Sequence, residues 1–191
     1  MKPNQHVTFA LKLAGWEFEG PVPSQKKYVL LAVPHTSNWD GILLLLAARS
    51  VGVELSWMVK DSMARGPMRP LMRQLNAVPI DRSRANNVVQ AMADEFARRD
   101  RFVLAIPPEG TRSRVEYWKS GFYNIARAAN VPVATGYLDF ARRRAGIGDP
   151  IDLTGNVAAD MDRIRAFYLE KKPAPHAPEK FGPMRLKAEE D

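Results

Sequence analysis

The stretch YVLLAVPHTSNWDGILLLLAARSV, residues 28–51, joins a short apolar run to a longer apolar segment through a polar loop. Residues 28–33 are rich in valine, leucine and tyrosine and stop at Pro34, which predicts a buried strand. The segment from about Asp40 to Val51 has the length of a helix. A strand, a polar loop and a helix in this order begin a βαβ unit, from which parallel sheets are built.

The same alternation continues along the whole chain. Further strands are predicted at residues 55–59, 77–80, 102–106 and 131–140, with a weaker one at 147–153, and helices at 66–75, 86–99, 121–129 and from 157 to about 168. The cap of the helix at 86–99 is predicted to be Ser83 or Asn86. Because the strands are apolar throughout, helices should cover both faces of the sheet. We therefore predict a single α/β domain with a mostly parallel sheet of about six or seven strands.

The composition narrows the possible chemistry. The chain has 191 residues, of which 46% are apolar, and this is enough for one domain with a substantial core. The absence of cysteine excludes thiolate nucleophiles and thiolate metal sites, and three scattered histidines do not suggest a metal cage, so we predict no metal site. A formal charge of +7 points to an anionic partner: nucleic acid, an acidic membrane surface or a phosphorylated substrate.

Membrane-spanning segments are not expected from the sequence. The longest apolar run, Ile42 to Ala48, is far shorter than the roughly 18 residues that a spanning helix needs. The N-terminal residues lack the pattern of a secretory signal, so we expect a cytoplasmic protein. An apolar stripe of Phe9, Leu13 and Trp16 is open to two interpretations: it rests on a membrane interface, or, as is more common, it packs on the domain.

The first strand leads into a possible acid–base pair. Ligand sites of parallel sheets lie at the carboxyl ends of the strands, where His35 follows the first strand and Asp40 comes five positions later. A carboxylate at one imidazole nitrogen leaves the other nitrogen free as a general base. No enzyme nucleophile accompanies the pair, so a substrate hydroxyl would attack. The alternative is that His35 caps the helix and Asp40 is an ordinary acid of its first turn.

Basic residues follow the next strands. Lys60, Arg82 and Arg112 each come after a predicted strand, and Gly110 permits close approach of the backbone to a ligand. Converging guanidinium and ammonium groups would form a pocket for phosphate. For any one of these residues taken alone, a surface salt bridge is the commoner role.

Four blocks of the sequence resemble motifs of the glycerolipid acyltransferases related to bacterial 1-acylglycerol-3-phosphate acyltransferase. These are the H-x4-D block at residues 34–40 (PHTSNWD), an arginine block at 79–82 (PIDR), the block at 108–113 (PEGTRS) and the start of a fourth at 131–133 (VPV). The resemblance covers about residues 15–140. Departures are Asn76 for a frequent glycine, Pro107 for a common aromatic residue, and the absence of a proline at Thr135 or Gly136. The chain resembles a short member without membrane-spanning helices, with a fold like that of the glycerol-3-phosphate acyltransferases.

The resemblance implies transfer of a fatty acyl group from acyl-CoA or acyl carrier protein to the hydroxyl of a lysophospholipid such as 1-acylglycerol-3-phosphate. His35 would be the base and Asp40 would orient it, with no metal or other cofactor. The acceptor and its phosphate would be bound by Arg82, Glu109, Gly110, Thr111, Arg112, Lys60 and Lys119. Two roles for Glu109 remain open, contact with acceptor hydroxyls and bracing of the loop. Backbone N–H groups around Gly110 are candidate donors to the oxyanion.

We expect an acyltransferase domain over residues 1–172, with its motifs within 28–140, and a proline-rich tail over 173–191 that is loose or lies along the surface. The expected partners are the two lipid substrates and an anionic membrane surface, at the cytoplasmic face of the membrane. Candidates for an apolar trough that holds the acyl chain are Leu43 to Leu46, Trp57, Met58, Met63, Met68, Met72 and Phe122. A different acceptor, such as a sugar or an amino-lipid, or a non-catalytic lipid-binding role are the alternatives. A nucleic-acid partner is disfavoured because the basic residues lack interleaved aromatic residues.

Overall fold

The computed structural model describes residues 2–64, 69–81 and 85–189 of the chain. The strands are β1 (Glu17–Glu19), β2 (Lys27–Val33), β3 (Leu55–Lys60), β4 (Ala77–Ile80), β5 (Phe102–Ile106), β6 (Val133–Asp139) and β7 (Arg144–Ile147). The helices are α1 (Gln5–Leu13), α2 (Asn38–Ser50), α3 (Arg69–Gln74), α4 (Ala85–Arg98), α5 (Gly121–Ala129) and α6 (Val157–Lys171). The predicted alternation of strands and helices is confirmed over most of the chain.

All seven strands belong to one sheet, in the order β1-β7-β6-β2-β5-β3-β4. Every pair is parallel except β6 and β7, which form an antiparallel hairpin. Strand β2 lies between β5 and β6, so the loop that follows β2 emerges near the middle of the sheet. This confirms the predicted α/β fold and places the polar loops after β2 and β5 side by side.

Helices cover both faces of the sheet, as the apolar strands require. Alternate residues of β2 divide between two cores: Val29 and Leu31 pack on the face covered by α4, α5 and α6, whereas Tyr28 and Leu30 pack beneath α1 and α2. The helical residues that seal the first core are Met92, Phe96, Phe122, Ile125, Met161 and Ile164. This two-sided burial makes β2 a rigid base for the loop that it carries.

Two local predictions are wrong, and one short strand was not predicted. The strand predicted at 147–153 is wrong: β7 ends at Ile147, and Ile151 forms only an isolated bridge to Val133 because Pro150 has no N–H for a ladder. Asn86 is not the cap of α4, since the helix begins at Ala85; Ser83 lies outside the described residues. The short β1 was not predicted. Helix α3 begins at Arg69, and residues 66–68 of the predicted helix also lie outside the described residues.

The N-terminal apolar stripe is split by the fold. Trp16 is buried and packs edge-to-face on Phe140, with ring centroids 5.2 Å apart, whereas Phe9 and Leu13 are exposed. In α1 the buried position is instead Leu11. The packing interpretation therefore holds for Trp16 alone.

The described part of the C-terminal segment lies against the domain. Leu186 is buried in the core beneath α4, α5 and α6, and the backbone N–H of Trp118 donates to the Arg185 carbonyl at 2.7 Å. The Ala177 N–H donates to Thr36 Oγ1 at 3.2 Å, which ties the segment to the loop after β2. Within residues 173–189 the chain forms two short 3-10 turns and no α-helix, as the four prolines predict.

No helix in the described ranges has both the length and the apolarity that crossing a bilayer requires.

Candidate active site

A cavity of about 1190 Å³ opens at the carboxyl edge of the sheet, where β2, β5 and β6 end. Two loops supply its polar wall. The loop after β2 contributes His35, the start of α2 contributes Asn38, and the loop between β5 and α5 contributes Arg112 and Lys119. The carboxyl edge is where a parallel sheet is expected to hold its ligand.

Asp40 organises the loop after β2. Its Oδ2 accepts the backbone N–H groups of Thr36 and Ser37, the latter at 2.8 Å, and its Oδ1 accepts the Ser37 hydroxyl at 2.8 Å. The Ser37 hydroxyl oxygen in turn accepts the Trp39 N–H at 3.1 Å, which completes a capping box at the start of α2. The carboxylate is buried, and the loop donors offset the cost of removing its charge from water.

His35 lies beside this carboxylate without a direct hydrogen bond to it. Its Nδ1 is 4.0 Å from Asp40 Oδ2, a distance at which the charge still acts on the imidazole. Burial lowers the pKa of His35 below its ordinary value; the Asp40 carboxylate opposes this effect and the Arg112 charge adds to it. A neutral imidazole near neutral pH is the form that accepts a proton. Ser37 caps α2, so the alternative in which His35 is the cap is wrong. Asp40 is an acid of the first turn of α2 and also lies beside His35.

Glu109 connects the second loop to the first. It is buried, and its Oε1 accepts the backbone N–H of His35 at 3.2 Å. Its other oxygen, Oε2, has no hydrogen-bond partner among the described residues. Burial raises the pKa of Glu109 to about 7; backbone hydrogen bonds partly offset this, and the nearby Asp40 charge adds to it. Glu109 does not line the cavity, which favours loop bracing over contact with an acceptor.

Gly110 shapes the path of the next residues. It has a φ of +66°, and a Cβ there would lie 2.8 Å from Lys119 Cδ. A side chain at this position would therefore be strained and would displace the Lys119 stem. The Gly110 N–H donates to the Pro107 carbonyl at 3.1 Å, so this group is not free for an oxyanion. Glycine here holds Lys119 against the cavity wall.

The predicted site residues separate into three groups. The cavity wall contains His35, Asp40, Gly110, Thr111, Arg112 and Lys119. Lys60 is exposed at the end of β3 and Glu109 is buried behind the wall, and neither lines the cavity. Arg82 lies outside the described residues. The described part of the predicted cation pocket therefore rests on Arg112 and Lys119.

Apolar residues line the cavity on both sides of the sheet edge. On the α2 side they include Leu44, Leu45, Leu55, Trp57 and Leu138, and on the α4 and α5 side Met58, Ile80, Val88, Val89, Phe122 and Ile125. Five of the residues predicted for an acyl trough are among them: Leu44, Leu45, Trp57, Met58 and Phe122. Leu43, Leu46 and Met72 are not, and the Met63 and Met68 side chains lie outside the description. The cavity joins charged and apolar walls, as an amphiphilic substrate requires.

Asn38 and Trp118 are among the lining residues that were not predicted from the sequence. Asn38 accepts a hydrogen bond from the Arg112 guanidinium through its side-chain carbonyl, which fixes the arginine across the cavity mouth. Trp118 is buried at the wall, and its Nε1–H has no partner among the described residues. Asn38 lies inside the H-x4-D block and carries no local signal for a contact 74 positions away in sequence.

Comparisons with known proteins identify the family and the fold of the chain. A family model described as Acyltransferase matches residues 16–138, so the chain belongs to the acyltransferase family. The fold is similar to the crystal structure of the 1-acyl-sn-glycerophosphate (LPA) acyltransferase PlsC from Thermotoga maritima, with a TM-score of 0.56. The two are 19% identical, over 87% of this chain and 73% of that one, and the likeness establishes a common fold. Among curated proteins none matches the sequence significantly.

Replacement of Asp40 separates its two roles. We expect Asp40→Ala to lower the free energy of unfolding by about 1–2 kcal/mol through loss of the cap, and to reduce acyl transfer by about 10²-fold or more through loss of the charge near His35. Denaturant unfolding and a thiol-release assay measure the two effects.

Ser37→Ala is the matched control. It removes the hydroxyl from the capping box but leaves the Asp40 carboxylate and the backbone amides of Thr36 and Ser37 in place. Stability should fall to a similar extent, while most of the activity remains. Equal loss of activity in both variants would show that Asp40 acts only in the helix cap and not on His35.

Glu109 should give the protein a stability that depends on pH. Its pKa is about 7 in the folded protein against 4.5 as the ordinary value, so the folded state keeps a proton that the unfolded state releases. As pH rises from about 4.5 to about 7, wild-type stability should therefore fall relative to Glu109→Gln, by at most about 3 kcal/mol in total. Parallel denaturation curves of the two proteins across this range measure the difference. A constant difference would show that Glu109 does not hold its proton in the fold.

Proposed function

We propose that the chain transfers a fatty acyl group from an acyl thioester to a hydroxyl of a lysophospholipid such as 1-acylglycerol-3-phosphate. The observation that carries this proposal is the position of His35 in a cavity with two cationic side chains, Arg112 and Lys119, and long apolar walls. A lysophospholipid presents a hydroxyl, a phosphate and an acyl chain, and each has a chemically matched surface in this one cavity.

The proposed reaction needs one proton relay and no covalent enzyme intermediate. His35 Nδ1 faces Asp40, so Nε2 is the nitrogen that accepts the proton of the acceptor hydroxyl. The hydroxyl oxygen attacks the thioester carbonyl carbon, the C–O bond forms, and the carbonyl oxygen carries negative charge. When the C–S bond breaks, the carbonyl is restored and the thiolate takes the proton from the imidazolium. The Asp40 carboxylate stabilises the imidazolium between these two steps.

Arg112 and Lys119 are the proposed phosphate ligands among the described residues, with Arg82 as the third cation; Lys60 is left out because it does not line the cavity. Arg112 is held by Asn38, so its donors are already oriented, and the Lys119 stem rests on Gly110. Preorganised cations bind a phosphate with less loss of side-chain entropy than free ones. In this proposal Glu109 is a positioning residue for His35, since it contacts the histidine backbone from behind the cavity wall.

The donor is proposed to be acyl-CoA or acyl carrier protein, and the reaction to use no metal or other cofactor. We place the protein at the cytoplasmic face of the membrane as a peripheral protein. The support is the surplus of basic residues, with a charge of +7, which favours an anionic surface.

Removal of the base tests the reaction. His35→Ala should lower the rate of thiol release from acyl-CoA by about 10²–10⁴-fold in the presence of 1-acylglycerol-3-phosphate. His6→Ala is the matched control, because His6 is exposed on α1 and does not line the cavity. Transfer by His35→Ala at the wild-type rate would exclude His35 as the base.

Replacement of Arg82, which follows β4, tests whether the acceptor carries a phosphate. Arg82→Ala should raise the KM for a phosphate-bearing acceptor by about 10-fold or more and leave the KM for acyl-CoA nearly unchanged. A panel of neutral acceptors, namely glycerol, a sugar and an amino-lipid, tests the alternative that the acceptor carries no phosphate. An unchanged acceptor KM, together with faster transfer to a neutral acceptor, would contradict a phosphate substrate.

A further inference from the structure

Helix α2 exposes a stripe of large apolar side chains beside the cavity. Trp39, Ile42 and Leu46 are 59%, 49% and 37% exposed, and their spacing places them on one face of the helix. We call these three residues the α2 stripe. The opposite side of the helix is already buried in the core through Leu44, Ala47 and Ala48. The stripe is therefore not needed to attach α2 to the sheet.

The rest of the exposed face of α2 contains no acidic side chain. Its other exposed residues are Asn38 at the start and Arg49 at the end, and the acid of the helix, Asp40, is buried. Arg112 lies at the same end as Asn38, to which it donates. The stripe thus runs between two guanidinium groups. Isolated exposed apolar residues are common on soluble proteins, whereas these three lie together on one face of a helix beside the cavity.

The α2 stripe is continuous with the cavity. Ile42 is exposed at the surface and also lines the cavity, together with Asn38, Gly41 and Leu45 of the same helix. Apolar surface therefore leads without interruption from the outer face of α2 to the inner wall beside His35. A lipid chain that follows this path stays in contact with apolar side chains throughout, and so avoids the cost of exposure to water.

We propose that the α2 stripe docks on an anionic lipid bilayer and that lipid chains pass over Ile42 into the cavity. This inference rests on the proposed function for the chemistry in the cavity, but not for the docking itself. Tryptophan is favoured at the boundary between headgroups and acyl chains. Arg49 and Arg112 at the ends of the stripe match the charge of anionic headgroups. The same two charges, with a net charge of +7, disfavour a second copy of the chain as the occupant.

The site of docking differs from the one that the N-terminal sequence suggested. Trp16 is buried against Phe140, and the exposed Phe9 and Leu13 of α1 do not line the cavity. Trp39 is the most exposed tryptophan of the four. Trp118 is buried and Trp57 is half-buried with its Nε1–H donated to the Leu75 carbonyl. The tryptophan fluorescence of the protein should therefore report the α2 stripe.

Vesicle binding of a double variant tests the proposal. Trp39→Ser with Leu46→Ser replaces two exposed side chains that do not line the cavity. Sedimentation with vesicles of phosphatidylcholine mixed with phosphatidylglycerol should show partitioning at least about tenfold weaker than that of the wild type. Leu169→Ser is the matched control, because Leu169 is 60% exposed on α6 and follows no apolar stripe to the cavity. This variant should bind as the wild type does.

Fluorescence gives a second readout. The wild-type emission should shift to shorter wavelength when these vesicles are added, and Trp39→Phe should keep vesicle binding but lose most of the shift. Wild-type binding by the double variant, or a full shift in Trp39→Phe, would overturn the proposal. So would a dimer of the wild-type chain that the double variant abolishes, since the stripe would then be an interface between copies.

Activity distinguishes this inference from the proposed function. With a short-chain thioester and a short-chain acceptor that dissolve as monomers, the double variant should keep its rate within about twofold of the wild type. Its rate on lipid held in vesicles should fall with the partitioning. Equal losses on soluble and vesicle substrates would overturn docking by the stripe. Vesicle binding is measured without substrate, so a protein that lacks acyl transfer altogether would leave this test of docking intact.

Discussion

The carboxylate of Asp40 is the group on which the site depends. It accepts the backbone N–H groups of Thr36 and Ser37 and the Ser37 hydroxyl, and through these bonds it fixes the loop that carries His35. The same oxygen that holds the two amides lies 4.0 Å from the imidazole. One buried charge therefore begins α2, shapes the loop and sets the electrostatic surroundings of the base. Removal of a buried charge with this many donors leaves several unpaired polar groups.

A second buried carboxyl group ties the two motif loops together. Glu109 reaches from the loop after β5 to the backbone of His35, so the position of the base depends on both loops. Asp40 has three donors and Glu109 Oε1 is bonded to His35, while Glu109 Oε2 is buried without a partner among the described residues. The raised pKa of Glu109 follows from its burial and from the charge of its neighbour.

The features that the sequence predicted correctly are those that depend on local residue patterns and on the positions of residues just after the strands. The strands at 77–80 and 102–106 and the helix at 121–129 agree with the structure in both bounds, because apolar runs and flanking breakers define them locally. Strand β1 was missed because it has only three residues, which pair with β7, and so short a segment shows no periodic pattern of apolar residues. The role of Glu109 was left open, since its contact with His35 joins residues 74 positions apart. Lys60 follows a strand as predicted, but strand-end position alone does not turn a side chain toward the cavity.

The pKa of His35 tests most directly whether the Asp40 carboxylate acts on the base. Proton NMR titration of the imidazole, assigned by comparison with His35→Gln, measures it in the wild type and in Asp40→Asn. We predict that the wild-type pKa of His35 lies below the ordinary histidine value of about 6.5, because burial outweighs the effect of the Asp40 charge. In Asp40→Asn that charge is gone, so the pKa of His35 should be lower still. A wild-type pKa at or above the ordinary value, or the same pKa in both proteins, would contradict the coupling of Asp40 to His35.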